Sequence, residues 1–146
     1  MPNPPKLSRL IKPALDTPFH IDFEWWSREG RDLHAYLLSQ VPPDVRDAYA
    51  ELDDTLVDAV NSETGEVKQE DGLLLRVRQI AKQQDDVVSH HTSIIDAIFR
   101  TFLINDNQPL NAYQLSRLLN RDASLILRTL SGSQVYKGLR PVVEKG

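Results

Sequence analysis

The chain has 146 residues, 40% hydrophobic and 26% charged, with nine Pro, six Gly and no Cys, which is the profile of an ordinary globular protein of one domain or two small ones. The missing cysteine excludes a disulfide framework, a thiolate zinc site, an iron–sulfur cluster and a cysteine nucleophile. No apolar run nears the roughly 18 residues of a spanning helix, and the opening Met1-Pro-Asn-Pro-Pro-Lys6 lacks a signal peptide's apolar centre, so a cytoplasmic protein without a membrane partner is expected.

The formal net charge of −4 is unevenly spread: +2 over residues 1–20, −10 over residues 21–75 and +4 over residues 76–146. An acidic middle followed by a basic C-terminal half lets one region approach nucleic acid while the other stays off it. The same split also arises from the solvated faces of helices.

Residues 1–16 carry four prolines and read as an irregular arm. Thr17 to Trp26 then alternates, with Phe19, Ile21, Phe23 and Trp25 on one face and His20, Asp22, Glu24 and Trp26 on the other, which predicts a half-buried strand with only one tryptophan in the core. The second tryptophan is expected against the arm; a stacking platform for a base or a partner is its alternative use. From Ser27, a candidate cap, the spacing of Leu33, Tyr36, Leu37, Leu38 and Val41 predicts a helix that Pro42-Pro43 stops. A short helix follows, with Asp44 and Asp47 near its start and Val45, Ala48, Tyr49 and Leu52 inward.

Thr55–Val60 and Glu66–Glu70, separated by Asn61-Ser-Glu-Thr-Gly65, read as a β-hairpin. Leu73, Leu74, Val77, Ile80 and Ala81 return to helical spacing, which resumes through Val87 and Val88. Its narrow apolar stripe makes residues 73–88 the expected seam of a homodimer.

Thr92 caps a strongly amphipathic helix carrying Ile94, Ile95, Ile98, Phe99, Phe102 and Leu103. Asn105-Asp-Asn-Gln-Pro109 ends it, and Leu110 begins a new element. Asn111 caps a helix over Ala112–Leu119 with Leu115, Leu118 and Leu119 inward. A further helix begins at or just after Asp122, with Leu125 or Ile126, Leu127 and Leu130 apolar. The tight connection needs a residue that tolerates a left-handed backbone, which Asn120 supplies. Ser116, four residues earlier, is small enough for the two helices to approach closely. Ser131-Gly-Ser133 closes the last helix, and Gln134–Val143 reads as one or two extended runs broken at Gly138.

Two short helices joined by a tight turn have helix-turn-helix geometry, and residues 92–143 as a whole resemble a winged helix-turn-helix domain with a shortened wing. With the elements read before it, the chain is expected to be a mostly helical α+β protein: an arm over 1–16, an acidic strand, helix and hairpin module over 17–90 for dimerisation or partner binding, and the domain resembling a winged helix over 92–143. The resemblance implies that the helix over 121–130 lies in the major groove of duplex DNA. Arg121, Ser124, Leu125 and Arg128 would then stand near base edges with Thr129 at the flank, while Arg117, Lys137 and Arg140 contact phosphates. A transcriptional regulator is the common use of that layout. Winged helices also serve as protein-interaction modules, and that is the alternative reading.

No phosphate-binding glycine loop, His-Glu-x-x-His or Gly-x-Ser-x-Gly is present, and no nucleophile stands at a spacing that recruits a base, so an enzyme is not expected. His20, Asp22 and Glu24 are residue types that bind metals, but without a further ligand group nearby they read as the polar side of an edge strand. Asp86 with His90 and His91 reads as an exposed ion pair. No cofactor is implied.

Overall fold

The computed structural model describes residues 12–51, 56–83 and 93–142. The remaining residues hold several expected features, which lie outside the described residues: most of the arm, the Asp86, His90 and His91 group, the helix over 84–88 and the Thr92 cap. The fold is α+β and mostly helical, with two small antiparallel sheets. No helix among the described residues is long and apolar enough to cross a membrane.

The chain divides into two compact units, residues 1–25 with 86–146 and residues 26–85. In the first unit, β1 (Phe19–Ile21) pairs antiparallel with β4 (Leu139–Pro141), with Ile21 opposite Leu139. The segment expected to open the acidic module therefore belongs with the C-terminal helices. Period-2 alternation identifies the strand but carries no information about its partner.

The strand is also shorter than the alternation predicts, because helix α1 (Phe23–Arg28) begins two residues after Ile21. Asp22 Oδ1 accepts the Glu24 N–H at 3.1 Å, a local bond that favours the helical start. The switch from 180° to 100° per residue brings Trp25 and Trp26 both out of solvent.

The other edge of β1 is completed by two different devices. Phe19 exchanges backbone hydrogen bonds with Leu110, at 2.8 and 3.1 Å. Two residues along, the carboxamide of Asn107 does the same work: its Oδ1 accepts the Ile21 N–H at 2.8 Å and its Nδ2 donates to the Ile21 carbonyl at 2.9 Å. Asn107 is placed there by the end of α5 (Ile94–Ile104). Asp106 turns left-handed at φ 60° and the Asn107 N–H donates to the Phe102 carbonyl at 2.7 Å, a Schellman closure. The cap at the start of α5 is Ser93, whose Oγ accepts the Asp96 N–H.

Helix α5 supplies the centre of this unit through Ala97, Ile98, Phe99, Phe102 and Leu103, all buried. Helices α6 (Ala112–Leu119) and α7 (Ala123–Leu130) bury Ala112, Leu115, Leu119, Ile126 and Leu130. Leu118, expected inward, is 60% exposed, because a helix of eight residues with one packed face has room inside for Leu115 and Leu119 only. Between Gln134 and Val142 the single strand is β4, and its partner is β1 rather than a second wing strand.

In the second unit α2 (Leu33–Ser39) is capped by Asp32, whose Oδ1 accepts the Ala35 N–H at 3.0 Å, not by Ser27. Arg46 bonds the carbonyls of Leu38 and Val41 at 2.9 Å each, closing the end of α2 with a cation where the helix dipole is negative. A 3₁₀ turn over Pro43–Val45 leads into α3 (Arg46–Ala50). Strands β2 (Leu56–Val60) and β3 (Val67–Asp71) form the expected hairpin. Asn61 Oδ1 accepts the N–H groups of Glu63 and Thr64, and Gly65 takes φ 72° to form a bulge opposite Asn61.

Helix α4 (Gly72–Gln83) packs Leu73, Val77 and Ala81 into the same core as Leu37 and Val41 of α2 and its exit. The described part of the stripe expected to form a dimer seam is thus consumed within the chain: Leu73 is 0% and Val77 4% exposed. A narrow apolar stripe has the same appearance in sequence whether its partner is a second copy or another helix of the same unit.

Candidate nucleic-acid interface

Helix α6 starts from a reciprocal cap: Asn111 Oδ1 accepts the Gln114 N–H at 2.9 Å, and Gln114 Oε1 accepts the Asn111 N–H at 2.8 Å. It ends at Asn120, left-handed at φ 53° and ψ 46°. The Ser116 carbonyl accepts the N–H groups of Asn120 and Arg121, and its hydroxyl donates to the Arg121 carbonyl. The sequence assigns Ser116 a steric role only. Its hydroxyl is a second function, since it fixes the path of the chain between the two helices.

Asp122 then caps α7, its Oδ2 accepting the Leu125 N–H at 3.0 Å. With Ile126 and Leu130 turned inward, the opposite face of α7 presents Ser124, Leu125 and Arg128 to solvent. Arg117 is exposed in the last turn of α6, and Arg121 is half-buried in the connection. The guanidinium groups of Arg117, Arg121 and Arg128 thus sit on three consecutive elements.

The remaining candidates are held more closely. Thr129 spends its hydroxyl on the Leu125 carbonyl at 2.8 Å. Lys137 is half-buried, with a left-handed backbone at φ 55°. Arg140 pairs with Asp22 at 2.9 Å, so its charge is compensated inside the unit. That pair also engages the Asp22 carboxylate, and Glu24 stands on α1 rather than on a common strand face with His20 and Asp22.

Two features leave little mark in the sequence. Tyr113 is 51% and Leu118 60% exposed on α6, which puts apolar surface beside the arginines. A cleft of about 450 Å³ opens at the C-terminal end of α7, lined by Ile95, Arg128, Thr129, Gly132, Ser133, Gln134 and Tyr136. Arg128 therefore borders both the exposed helix face and the cleft. Leu118 has only its place in an apolar pattern to mark it, and the cleft has no signal at all, since it needs the loop after α7 folded beside α5.

Comparison with protein families, curated proteins and solved structures finds no match.

Proposed function

We propose that this chain is a non-catalytic DNA-binding protein of the winged-helix type, of the kind used in transcriptional regulation, and that α7 enters the major groove. The observation that carries the reading is the division of α7 into two faces. Ile126 and Leu130 anchor it to the body, whereas Ser124, Leu125 and Arg128 face outward, and Arg117 and Arg121 stand on the helix and the connection that precede it. In this arrangement Arg121 and Arg128 read base edges or adjacent phosphates, Ser124 offers a hydroxyl, and Leu125 offers an apolar contact suited to a thymine methyl. Arg117 and Lys137 hold the phosphate backbone. Arg140 contributes less, because Asp22 already neutralises it. Asp122 at the leading end of α7 opposes phosphate approach there, which directs the contact toward the middle of the helix.

The test is a fluorescence-anisotropy titration with mixed duplex fragments at two salt concentrations, comparing the native chain with Arg121→Ala/Arg128→Ala. Binding that falls steeply with salt and is lost in the double variant supports the reading. Absence of binding at low salt refutes it. One observation favours a second reading, a protein-interaction module: Tyr113, a residue type enriched at protein interfaces, is exposed on the same helix as the apolar Leu118. That reading requires DNA binding to be absent and Leu118→Lys to abolish capture of a partner.

A further inference from the structure

The β2–β3 hairpin is a two-stranded sheet, and no described strand pairs with either outer edge. Two strands alone are marginal in water. This pair also exposes Leu56 (64%), Val60 (66%) and Val67 (57%) on one face. The residues along each edge say which of the two accepts a further strand.

The pairing register runs without a break from Val60 opposite Val67 to Leu56 opposite Asp71. At its turn end the Asn61 N–H donates to the Glu66 carbonyl at 2.8 Å. Hydrogen-bonded and non-hydrogen-bonded pairs alternate along an antiparallel ladder. Lys68 and Glu70 therefore turn their backbone N–H and C=O toward β2, whereas Val67 and Gln69 turn theirs outward; Asp71 turns its N–H outward and gives its C=O to the first turn of α4.

From this geometry we infer that β3 is a self-complementary edge, and that two copies of the chain join antiparallel through it about a two-fold axis at Gln69. In this register Gln69 exchanges both backbone bonds with Gln69 of the second copy, and the Asp71 N–H of each copy donates to the Val67 carbonyl of the other. Lys68 falls opposite Glu70 at the non-hydrogen-bonded positions, where facing side chains are closest, and the symmetry makes that opposite-charge pair twice. One row across the four strands reads Val60, Val67, Asp71 and Leu56, the last two from the second copy, so the exposed apolar residues extend along a continuous sheet.

The symmetric pairings of β3 centred on the residues next to Gln69 are electrostatically worse. Pairing β3 about Lys68 or about Glu70 sets like charges face to face. Pairing β2 about its central residue, Asp58, apposes two carboxylates in a region already rich in acid, and the symmetric registers of β2 centred on the residues next to it set that charge opposite an apolar residue with no opposite charge to meet it. The inference is independent of the DNA reading, because it uses only residues of the acidic unit. It takes the place of the helical seam expected over 73–88, of which Leu73, Val77 and Ala81 are buried within the chain.

Sedimentation equilibrium of the full chain tests it. The native protein is expected to approach twice its 16.6 kDa chain mass with rising concentration. Lys68→Glu and Glu70→Lys each set like charges opposite one another, and each is expected to weaken the dimer at least about tenfold. Mixed in equal amounts, the two variants complement each other: one copy then carries two carboxylates and the other two ammonium groups at these positions, opposite charges meet at both, and the dimer returns. Gln69→Pro removes an outward N–H while sparing the ladder to β2, so it abolishes the dimer with an unchanged far-UV circular dichroism spectrum. This variant also carries the test if Glu70→Lys misfolds through loss of its pair with Arg78. A native chain that stays monomeric at its highest soluble concentration overturns the inference. So do folded variants that dimerise with native affinity, or a mixture that fails to restore the dimer.

Discussion

Replacing Asn107 with Ala is expected to destabilise the first unit by about 3 kcal/mol, from two separable sources. The Asn107 side chain satisfies both the N–H and the C=O of Ile21, at 2.8 and 2.9 Å, and Ile21 is only 1% exposed. Losing two such bonds costs about 1 kcal/mol each, and more if water does not reach the vacated groups. Asn107 also sits at φ 60°, where Ala is worse than Asn by about 1 kcal/mol. Asn107→Gly separates the two, since it loses the bonds without the conformational cost and should fall about 1 kcal/mol short of the Ala variant. Urea denaturation followed by far-UV circular dichroism reads the difference at constant m-value. Amide exchange at Ile21 should accelerate in both variants. An Asn107→Ala change below about 0.5 kcal/mol, with the Ile21 amide still protected, would refute the view that this carboxamide stands in for a strand.

Further expectations follow from the same packing. Leu118→Gln, on an exposed face, should shift stability by less than about 0.5 kcal/mol, whereas Ile126→Ala should cost about 2–5 kcal/mol; thermal melts distinguish them. Leu73→Ala should cost a similar amount, about 2–5 kcal/mol in urea, while leaving the sedimentation mass unchanged, the opposite of what a dimer-seam residue would do. Asp122→Ala removes the α7 cap at a cost of about 1 kcal/mol, and in the DNA reading it tightens binding at low salt by removing a carboxylate from the approach, as anisotropy would show. Gly65→Ala meets no atom within 4 Å, so the roughly 1 kcal/mol expected in a melt is the cost of its φ of 72° alone.

The features legible from the order of residues are local ones. The caps Asn111 and Asp122, the left-handed Asn120 and the glycine-closed turn of the hairpin all act within about five residues, and side-chain chemistry at fixed offsets specifies them. The basic stretch over α6 and α7 is legible because Arg117, Arg121 and Arg128 lie close together in the sequence itself. Whatever required a second surface was set by the folded chain. Folding gave β1 to a strand near the other end of the sequence, turned Phe23–Arg28 into a helix that buries both tryptophans, laid the stripe of α4 onto α2, and left Leu118 in solvent. Over six to eight residues an apolar pattern says that a face is to be covered, but the free energy of covering it depends on the shape of whatever arrives, and that shape exists only in the folded chain.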